Sequence, residues 1–425
     1  MTTDQEKVVT NKPSLLPEDW TVVVLGALII IVALAGFHLP VPASGWTGMD
    51  QLADKVLSQA NLRLIGIQFL FVALIALLGA VLTGKPVRHV FVVFLFVYLL
   101  TILALIAAGN STIKSVNLEA VIFSLAIGLL VGNLVKLPHW FRSALSTELF
   151  VKIGLVLLGT SVIFSDILKA GSLGLIQAVI VVVSVWYFAF WVCRKLKVDP
   201  ELSMMISSAV SICGVSAAIA TSGAIRGDSR KLSYVISMVL ITAVPMMIFM
   251  PWIAAYFNFP QEVTGAWLGG SIDTTGAVVA SGSLVGETAL KISTIVKFSQ
   301  NVLLGLAAFA ISVYWTYRKT PDNTNIESKP TLMVIWDRFP KFVLGFIGAS
   351  VLFSFFLGPA AIAPVKDGLK NLQGLWFALA FTSIGLETNF RELFRNNSRK
   401  PFYAFLIAQG FNIIVTLVVA YLLFR

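Results

Sequence analysis

Apolar runs of about 20 residues recur along the whole chain, with short polar stretches between them. An α-helix needs about 20 apolar residues to cross the ~30 Å of hydrocarbon in a bilayer. The long alternation of apolar and polar residues that transmembrane strands show does not occur. The pattern therefore predicts an all-α polytopic membrane protein with about thirteen transmembrane helices. They fall at residues 21–39, 62–83, 88–109, 118–135, 146–165, 173–193, 202–224, 232–257, 262–281, 288–317, 339–357, 370–388 and 402–424.

The composition supports this class of protein. Of the 425 residues 57% are hydrophobic and 12% are charged, about half the charged fraction of an ordinary globular protein. Lys and Arg outnumber Asp and Glu by 31 to 21, which gives a net charge of +10. In a membrane protein such an excess is typical of cytoplasmic loops, and no basic amphipathic stretch indicates a nucleic-acid surface. We expect the partners to be the lipid bilayer and a small solute, with no nucleic acid.

The cysteines and histidines do not suggest a metal centre. Cys193 and Cys213 lie in apolar context, and the three histidines are scattered without metal-ligand spacing. We therefore predict no metal and no cofactor, apart from a coupling Na⁺ or H⁺. Residues 1–20 are polar and lack the charged start and apolar core of a cleavable signal peptide, so the first apolar segment is expected to stay as an anchor.

Basic residues in the connecting loops predict the orientation. With the N-terminus in the cytoplasm, most Lys and Arg fall in inside loops, for example at 194–197 and 391–400. One connector disagrees, because the basic residues of 226–231 would lie outside. Either residues 202–224 do not cross the membrane as a simple helix, or one predicted span is wrong.

Two similar segments indicate an internal repeat. VKIGLVLLG at Val151–Gly159 and VKFSQNVLLG at Val296–Gly305 both have Val-Lys near the start of an apolar span and Leu-Leu-Gly within about two turns. Spans four to eight then form one repeat and spans nine to thirteen another. Because each repeat crosses the membrane five times, an odd number, the second repeat starts on the opposite side from the first. The 5+5 repeat is therefore inverted, an arrangement typical of secondary transporters. The predicted division is a cytoplasmic tail at 1–20, three extra helices at 21–110, and five-helix repeats at 111–257 and 258–425.

The seventh span carries polar residues and glycine in its middle, where polar groups are costly. Ser211, Gly214 and Ser216 are among them. A helix interrupted at mid-membrane presents unpaired N–H groups and the positive end of its dipole, and these bind an anion without a charged side chain. Close helix packing through small residues is the alternative explanation.

The twelfth span carries a similar polar cluster. Thr382, Ser383 and Gly385 are candidates for the same anion site, and Glu387 is a candidate for binding a coupling ion. The alternative for Glu387 is that it lies at the cytoplasmic surface and caps the next segment.

The ninth and tenth spans each carry a charged residue. Asp273, beside Thr274, is an intramembrane acid that must be protonated or paired, so both residues are candidates for binding Na⁺ or H⁺. A structural salt bridge is the alternative. Lys297, beside Gln300, is predicted to face a polar cavity, where it could attract the anion or pair with Asp273 in the empty site. Snorkelling of the lysine to the interface is the alternative there.

These motifs resemble the sulfate exporter family of bacterial membrane proteins, also called the YeiH family, from about Leu118 to Arg425. The strings that carry the resemblance are LLG at Leu157–Gly159, ICGVSAAIA at Ile212–Ala220, GGSIDTTGAVVASG at Gly269–Gly282, VK at Val296–Lys297 and TSIGLETNF at Thr382–Phe390. The resemblance implies a multi-pass protein of the bacterial inner membrane, with the architecture of the bile-acid symporter and sodium/proton antiporter superfamily. In that architecture two broken helices cross at mid-membrane inside a mobile core domain, and Gly214 and Gly385 would mark the crossing.

The chain departs from the family pattern at one point. Where relatives carry Ser-Ile-His-acid and a glutamine, this chain has Ser271, Ile272, Asp273, Thr274 and Ala277. This departure leaves the coupling ion and the exact substrate open.

The predicted function is secondary active export of a small anion such as sulfate, sulfite or an organic sulfonate, and not an enzymatic reaction. A core domain would move against a scaffold of spans four, five, nine and ten. The alternative is a cation/proton antiporter with Asp273 as the exchange carboxylate. An intramembrane hydrolase using Ser216 is disfavoured, because no general base lies at a plausible spacing. By analogy with similar scaffolds, a homodimer is expected.

Overall fold

The structure, a computed structural model, describes residues 14–37, 40–112, 120–162, 164–225, 227–319, 336, 340–388 and 399–425. These residues are almost entirely helical, with one isolated β-bridge between Trp46 and Asn110. Within the described residues, seven helices are long and apolar enough to cross a membrane. The expected all-helical, polytopic class is confirmed, whereas the number of crossings and the internal repeat stay predictions.

In chain order the helices are α1 (Glu18–Leu34), α2 (Met49–Gln51), α3 (Gln59–Leu82), α4 (Val87–Ala108), α5 (Ala120–Leu134), α6 (His139–Ala144), α7 (Thr147–Leu158), α8 (Phe164–Lys195), α9 (Pro200–Ser208), α10 (Val215–Ile225), α11 (Ser229–Tyr256), α12 (Gln261–Ser271), α13 (Thr275–Val285), α14 (Glu287–Lys319), α15 (Phe342–Val351), α16 (Pro359–Glu387) and α17 (Arg399–Phe424). π-helical turns extend α2, α9 and α15, and a 3₁₀ turn extends α7. These turns are Leu52–Val56, Ala209–Cys213, Leu352–Phe356 and Gly159–Ser161.

The chain forms two compact units. The first comprises Met1–Phe164 and Lys341–Thr388, and the second comprises Ser165–Pro340 and Asn389–Arg425. Spans nine and ten, predicted to be scaffold, therefore belong to the same unit as the glycine-interrupted seventh span. The twelfth span, predicted to belong with the seventh, is part of the first unit.

In the first unit, α16 runs unbroken past Gly385. A Cβ placed on Gly385 would lie 2.6 Å from the carbonyl oxygen of Leu125 and 2.6 Å from the backbone nitrogen of Leu129. The glycine thus lets α16 pack directly on the backbone of α5, as small residues do in membrane helices. The prediction of a helix break at Gly385 is wrong. The helix continues through this glycine, whose small size allows close packing.

A half-buried ion cluster joins α1 to α7 in the same unit. The Lys152 ammonium lies 2.9 Å from a carboxylate oxygen of Glu18 and 3.0 Å from one of Asp19. Asp19 also accepts a hydrogen bond from the backbone N–H of Lys341 at 3.0 Å. Lys152 therefore has a structural role between helices.

In the second unit, the seventh predicted span is a helical hairpin. We define hairpin 1 as α9, the π turn and α10, over residues 200–225. Its two ends meet. Lys231, which follows the hairpin, forms an ion pair with Asp199, directly before the hairpin, at 2.8 Å. It forms another with Glu201, inside the first arm of the hairpin, at 3.2 Å. Hairpin 1 enters and leaves at one side, so residues 202–224 do not form a simple crossing. Lys231 then lies on the same side as the basic end of α8, which removes the disagreement in the charge pattern for this residue.

The ninth predicted span is a second hairpin. We define hairpin 2 as α12 and α13, over residues 261–285. A Cβ placed on Gly286, directly after α13, would lie 2.7 Å from the Gln261 side chain at the start of α12. Helix α11, 28 residues or about 42 Å long, connects the two hairpins, so they enter from opposite ends of that helix.

Candidate functional site

The tip of hairpin 1 follows from local sequence signals. Asp199 caps α9 by accepting hydrogen bonds from Glu201 N and Leu202 N at 3.0 and 3.2 Å, and Pro200 occupies the first helical position. The helix widens into the π turn and stops at Gly214, whose φ of +58° lies in the region that favours glycine. The predicted interruption at Gly214 is confirmed, and α10 begins at the next residue.

The tip of hairpin 2 is formed by Ile272, Asp273 and Thr274. Helix α12 ends at Ser271, and Ile272 is extended. Thr274 then caps α13, its hydroxyl accepting a hydrogen bond from Ala277 N at 3.3 Å. This second interruption was not predicted, although Thr274 is a sequence signal for a helix start.

The two tips are in contact. A Cβ placed on Gly214 would lie 3.0 Å from the Asp273 Cβ and 2.6 Å from a methyl group of Val239. Val239 lies about 15 Å along α11 at about 1.5 Å per residue, and Lys297, which also contacts both tips, lies about 15 Å along α14. The tips therefore meet about 15 Å from the starts of both helices, which is half of the ~30 Å that a hydrocarbon core spans.

One lysine and one glutamine of α14 donate hydrogen bonds to backbone carbonyl groups of both tips. The Lys297 ammonium, only 1% exposed, donates to Ile212 O at 2.8 Å, to Ile272 O at 2.9 Å and to the Gln300 side-chain oxygen at 2.9 Å. The Gln300 amide donates to Ser211 O and Gly270 O at 2.9 and 3.2 Å. The carbonyl groups freed where α9 and α12 end are thereby satisfied, and the positive charge lies at the negative ends of both dipoles.

Helix α17 supplies two more donors to the same carbonyl ends. The Gln409 amide donates to Ser271 O at 2.8 Å, and the Asn412 amide donates to Val210 O and Ser271 O at 3.0 and 3.2 Å. Thr416 in turn donates to Asn412 at 2.9 Å. These residues of α17 were not predicted from the sequence. Their polar side chains at helical spacing within an apolar span were the available signal.

The opposite sides of the tips present helix N-termini. Helices α10 and α13 both begin there, and the first N–H groups of an α-helix have no acceptor within the helix. At α13 the Thr274 hydroxyl takes one of them, Ala277 N. Ser216 is exposed and Thr275 is half-buried, so the first turns of α10 and α13 reach the accessible surface of this unit. The positive dipole ends of α10 and α13 therefore lie next to each other and are accessible, whereas the negative dipole ends of α9 and α12 are capped by side-chain donors.

Asp273 directly precedes Thr274, the cap of α13, and lies beside Gly214, which directly precedes α10. It is 2% exposed, and its Oδ2 atom has no hydrogen-bond partner within the described part of the chain. Lys297 donates instead to the three oxygens given above. The Asp273–Lys297 ion pair considered from the sequence is thus not formed within 4.0 Å.

The remaining predicted site residues make other contacts. The hydroxyl of Ser211 donates to Ser207 O at 2.7 Å inside hairpin 1. In the first unit, the Thr382 and Thr101 hydroxyls are 2.9 Å apart, Ser383 donates to Leu379 O at 2.8 Å, and Glu387 accepts from the Thr147 hydroxyl at 2.6 Å. Thr382, Ser383 and Glu387 are thus engaged in helix packing, and their role in binding stays a prediction.

Ion pairs hold the base of hairpin 1 outside the apolar spans. Burial opposes ionisation of Asp199, but the hydrogen bonds from Lys231, Leu202 N and Glu201 N and the charge of Lys231 outweigh it, so the pKa of Asp199 lies below its ordinary value. The carboxylate is therefore charged at neutral pH and clamps the two ends of the hairpin.

The fold and the joined tips define a class: a polytopic, all-helical membrane protein in which the tips of two helical hairpins are in contact. Within this class, the chain belongs to the family described as conserved hypothetical protein 698, whose profile matches residues 92–404.

Named relatives support this membership. A UPF0324 membrane protein of Rhodopirellula baltica is 41% identical over 332 residues, covering 75% of this chain and 60% of the relative. One from Nitratidesulfovibrio vulgaris is 41% identical over 330 residues, covering 74% and 56%, and one from Nitrosomonas europaea is 30% identical over 309 residues, covering 64% and 62%. The chain thus spans less than two thirds of the length of these relatives. No solved structure matches it.

Proposed function

We propose that the protein is a secondary active transporter of a small anion such as sulfate, sulfite or an organic sulfonate. The observation that carries this proposal is the difference between the two sides of the hairpin tips. Four side chains cap the carbonyl ends, whereas the N-termini of α10 and α13 stay open near mid-depth. Backbone N–H groups and positive dipole ends bind anions without a charged side chain. The resemblance to sulfate exporters suggests the substrate class and outward transport.

In this proposal the candidate ligands are the N–H groups at the start of α10 and α13, with the hydroxyls of Ser216, Thr274 and Thr275. Lys297 supports the site from behind and does not touch the anion, since its three N–H groups already have acceptors. Transport would require the tips to be accessible from one face of the membrane at a time, as in alternating access around a midplane site.

Uptake of labelled anions into proteoliposomes tests the proposal. Sulfate, sulfite and methanesulfonate should be compared, with and without a Na⁺ gradient or a pH gradient. We expect saturable flux of at least one anion above that of protein-free liposomes. Absence of flux and of binding for every anion in the panel would refute the proposal.

A cation/proton antiporter remains a second candidate, because Asp273 is a buried carboxylate with an unpaired oxygen at the tips. Such an antiporter would exchange Na⁺ for H⁺ across the same liposomes, with a rate that does not depend on the anion supplied. An anion-dependent flux would exclude it.

A further inference from the structure

We propose that Asp273 takes up a proton when the anion binds, so that the anion and a proton cross the membrane together. This inference rests on the proposed function and identifies its coupling ion. The observation behind it is a buried acid where the two tips meet, directly before the N-terminus of α13 and beside Gly214, with no cation of the described residues within 4.0 Å of its carboxylate.

The charges around the tips are few. The described residues near Asp273 include Lys297 from α14, whose ammonium interacts electrostatically with Asp273, and Cys213 from hairpin 1, which interacts with Lys297. From α11 and α17 the neighbours are Val239 and the neutral amides of Gln409 and Asn412. The ammonium of Lys297 is thus the one positively charged group among them.

The hydrogen-bond donors of that ammonium are already used. Lys297 donates to two backbone carbonyls and one amide oxygen, which occupy its three N–H groups. It balances the negative ends of two helix dipoles and cannot turn toward Asp273 without leaving Ile212 O or Ile272 O unsatisfied in the interior.

An anion at the N-termini would therefore face a second negative charge if Asp273 were ionised. Like charges close together in a poorly solvated site cannot both stay ionised. A proton on Asp273 removes the repulsion, and the new O–H group becomes a donor on a carboxyl group whose Oδ2 has no hydrogen-bond partner among the described residues. The proton comes from solvent and returns to it when the anion leaves, so no other reactant is needed.

Linkage makes the coupling reciprocal: the anion favours protonation, and protonation favours the anion to the same degree. Both then move in one direction. An inward electrochemical gradient of protons would draw the anion inward, so net export would require an outward electrochemical gradient of the anion that exceeds it.

The test measures proton uptake on anion binding with the purified full-length protein in weakly buffered detergent, from pH 5 to 10. The probes are sulfate and methanesulfonate, which stay fully ionised over this range. We expect up to one proton taken up per anion bound, and an anion affinity that falls by up to tenfold per pH unit once the empty site is ionised. Asp273→Asn should bind the anion with no proton uptake and no pH dependence, whereas Asp50→Asn, which changes an exposed carboxylate of the first unit, should behave as the unmodified protein.

Other outcomes separate the two proposals. Anion binding without proton uptake, or uptake that persists in Asp273→Asn, would overturn the coupling while leaving the anion site intact. Binding of ²²Na⁺ that is required for the anion and lost in Asp273→Asn would overturn it in favour of sodium. If Asp273→Asn does not fold, a pH-independent anion affinity of the unmodified protein overturns the coupling by itself. If no anion binds at any pH, the proposed function fails.

Discussion

At the scale of single residues, Lys297 joins the two hairpins. Its ammonium is buried, yet no carboxylate of the described residues pairs with it within 4.0 Å, and three oxygens from hairpin 1, hairpin 2 and α14 surround it. A buried ammonium is tolerated when carbonyl groups replace its hydration. The lysine is therefore better explained as the partner of both carbonyl ends than as a snorkelling side chain.

Replacing Lys297 by methionine should destabilise the protein strongly. Each buried acceptor left without a donor costs about 1–3 kcal/mol, and we expect a total loss of about 3 kcal/mol, seen as a lower melting temperature in detergent. Lys291→Met on the same helix is the control. It removes a partly exposed pair with Glu287 at 3.1 Å and should change stability by less than about 0.5 kcal/mol. Equal effects of the two substitutions would contradict this role of Lys297.

Gly214→Ala should also destabilise the protein. The residue has a φ of +58°, and the new methyl group would approach Val239 to 2.6 Å. Backbone strain and overpacking together should cost about 3 kcal/mol. Gly410→Ala in α17, where nothing lies within 4 Å of the added Cβ, should instead stabilise the protein by up to about 1 kcal/mol. Thermal unfolding of both variants in detergent measures the difference. A neutral Gly214→Ala would show that the hairpin tip does not require glycine.

At the scale of elements, the N-terminus of α13 can be tested without disturbing its fold. Thr275 is the first helical residue and follows an extended Thr274, a position where proline is well accommodated. Thr275→Pro removes one N–H group, whereas Thr275→Ala keeps it and removes the hydroxyl. We expect Thr275→Pro to weaken anion binding about tenfold more than Thr275→Ala, as measured by equilibrium binding. Equal affinities of these variants would argue against backbone recognition.

The two glycine-containing spans show what the sequence could predict about helix interruptions. Polar residues and glycine in the seventh span correctly predicted an interruption at Gly214. The same pattern at Gly385 was misleading, because glycine there gives α5 access to the α16 backbone and the helix continues. A glycine in an apolar span is compatible with a helix interruption and with close helix packing, and which of them occurs depends on the neighbouring helix.

Hairpin 2 illustrates the opposite case. The sequence pattern predicted Asp273 and Thr274 to be ion ligands within a continuous span, although Thr274 also caps the start of a new helix. A span of 262–281 is long enough to cross the bilayer, so length and hydropathy alone could not distinguish a crossing helix from a hairpin of two short arms. The contact of Gly286 with Gln261 distinguishes them.

At the scale of the whole molecule, hydropathy predicted the helical class and the approximate positions of the helices. It could not predict how helices distant in sequence combine. The second unit joins residues 165–340 to the C-terminal segment, and Gln409 and Asn412 reach the hairpin tips only through that association. The predicted five-helix repeats remain a hypothesis about the order of helices along the chain.

The most direct test of the account is the sidedness of the hairpin ends. Single cysteines replacing Lys195, Asp228, Glu262 and Glu287 would be labelled with a membrane-impermeant maleimide in intact cells and in inverted vesicles, with the buried Cys193 and Cys213 giving little background. The account predicts that Lys195→Cys and Asp228→Cys react from one face, and Glu262→Cys and Glu287→Cys from the other. Labelling of Lys195→Cys and Asp228→Cys from opposite faces would mean that hairpin 1 crosses the membrane, which would contradict the account.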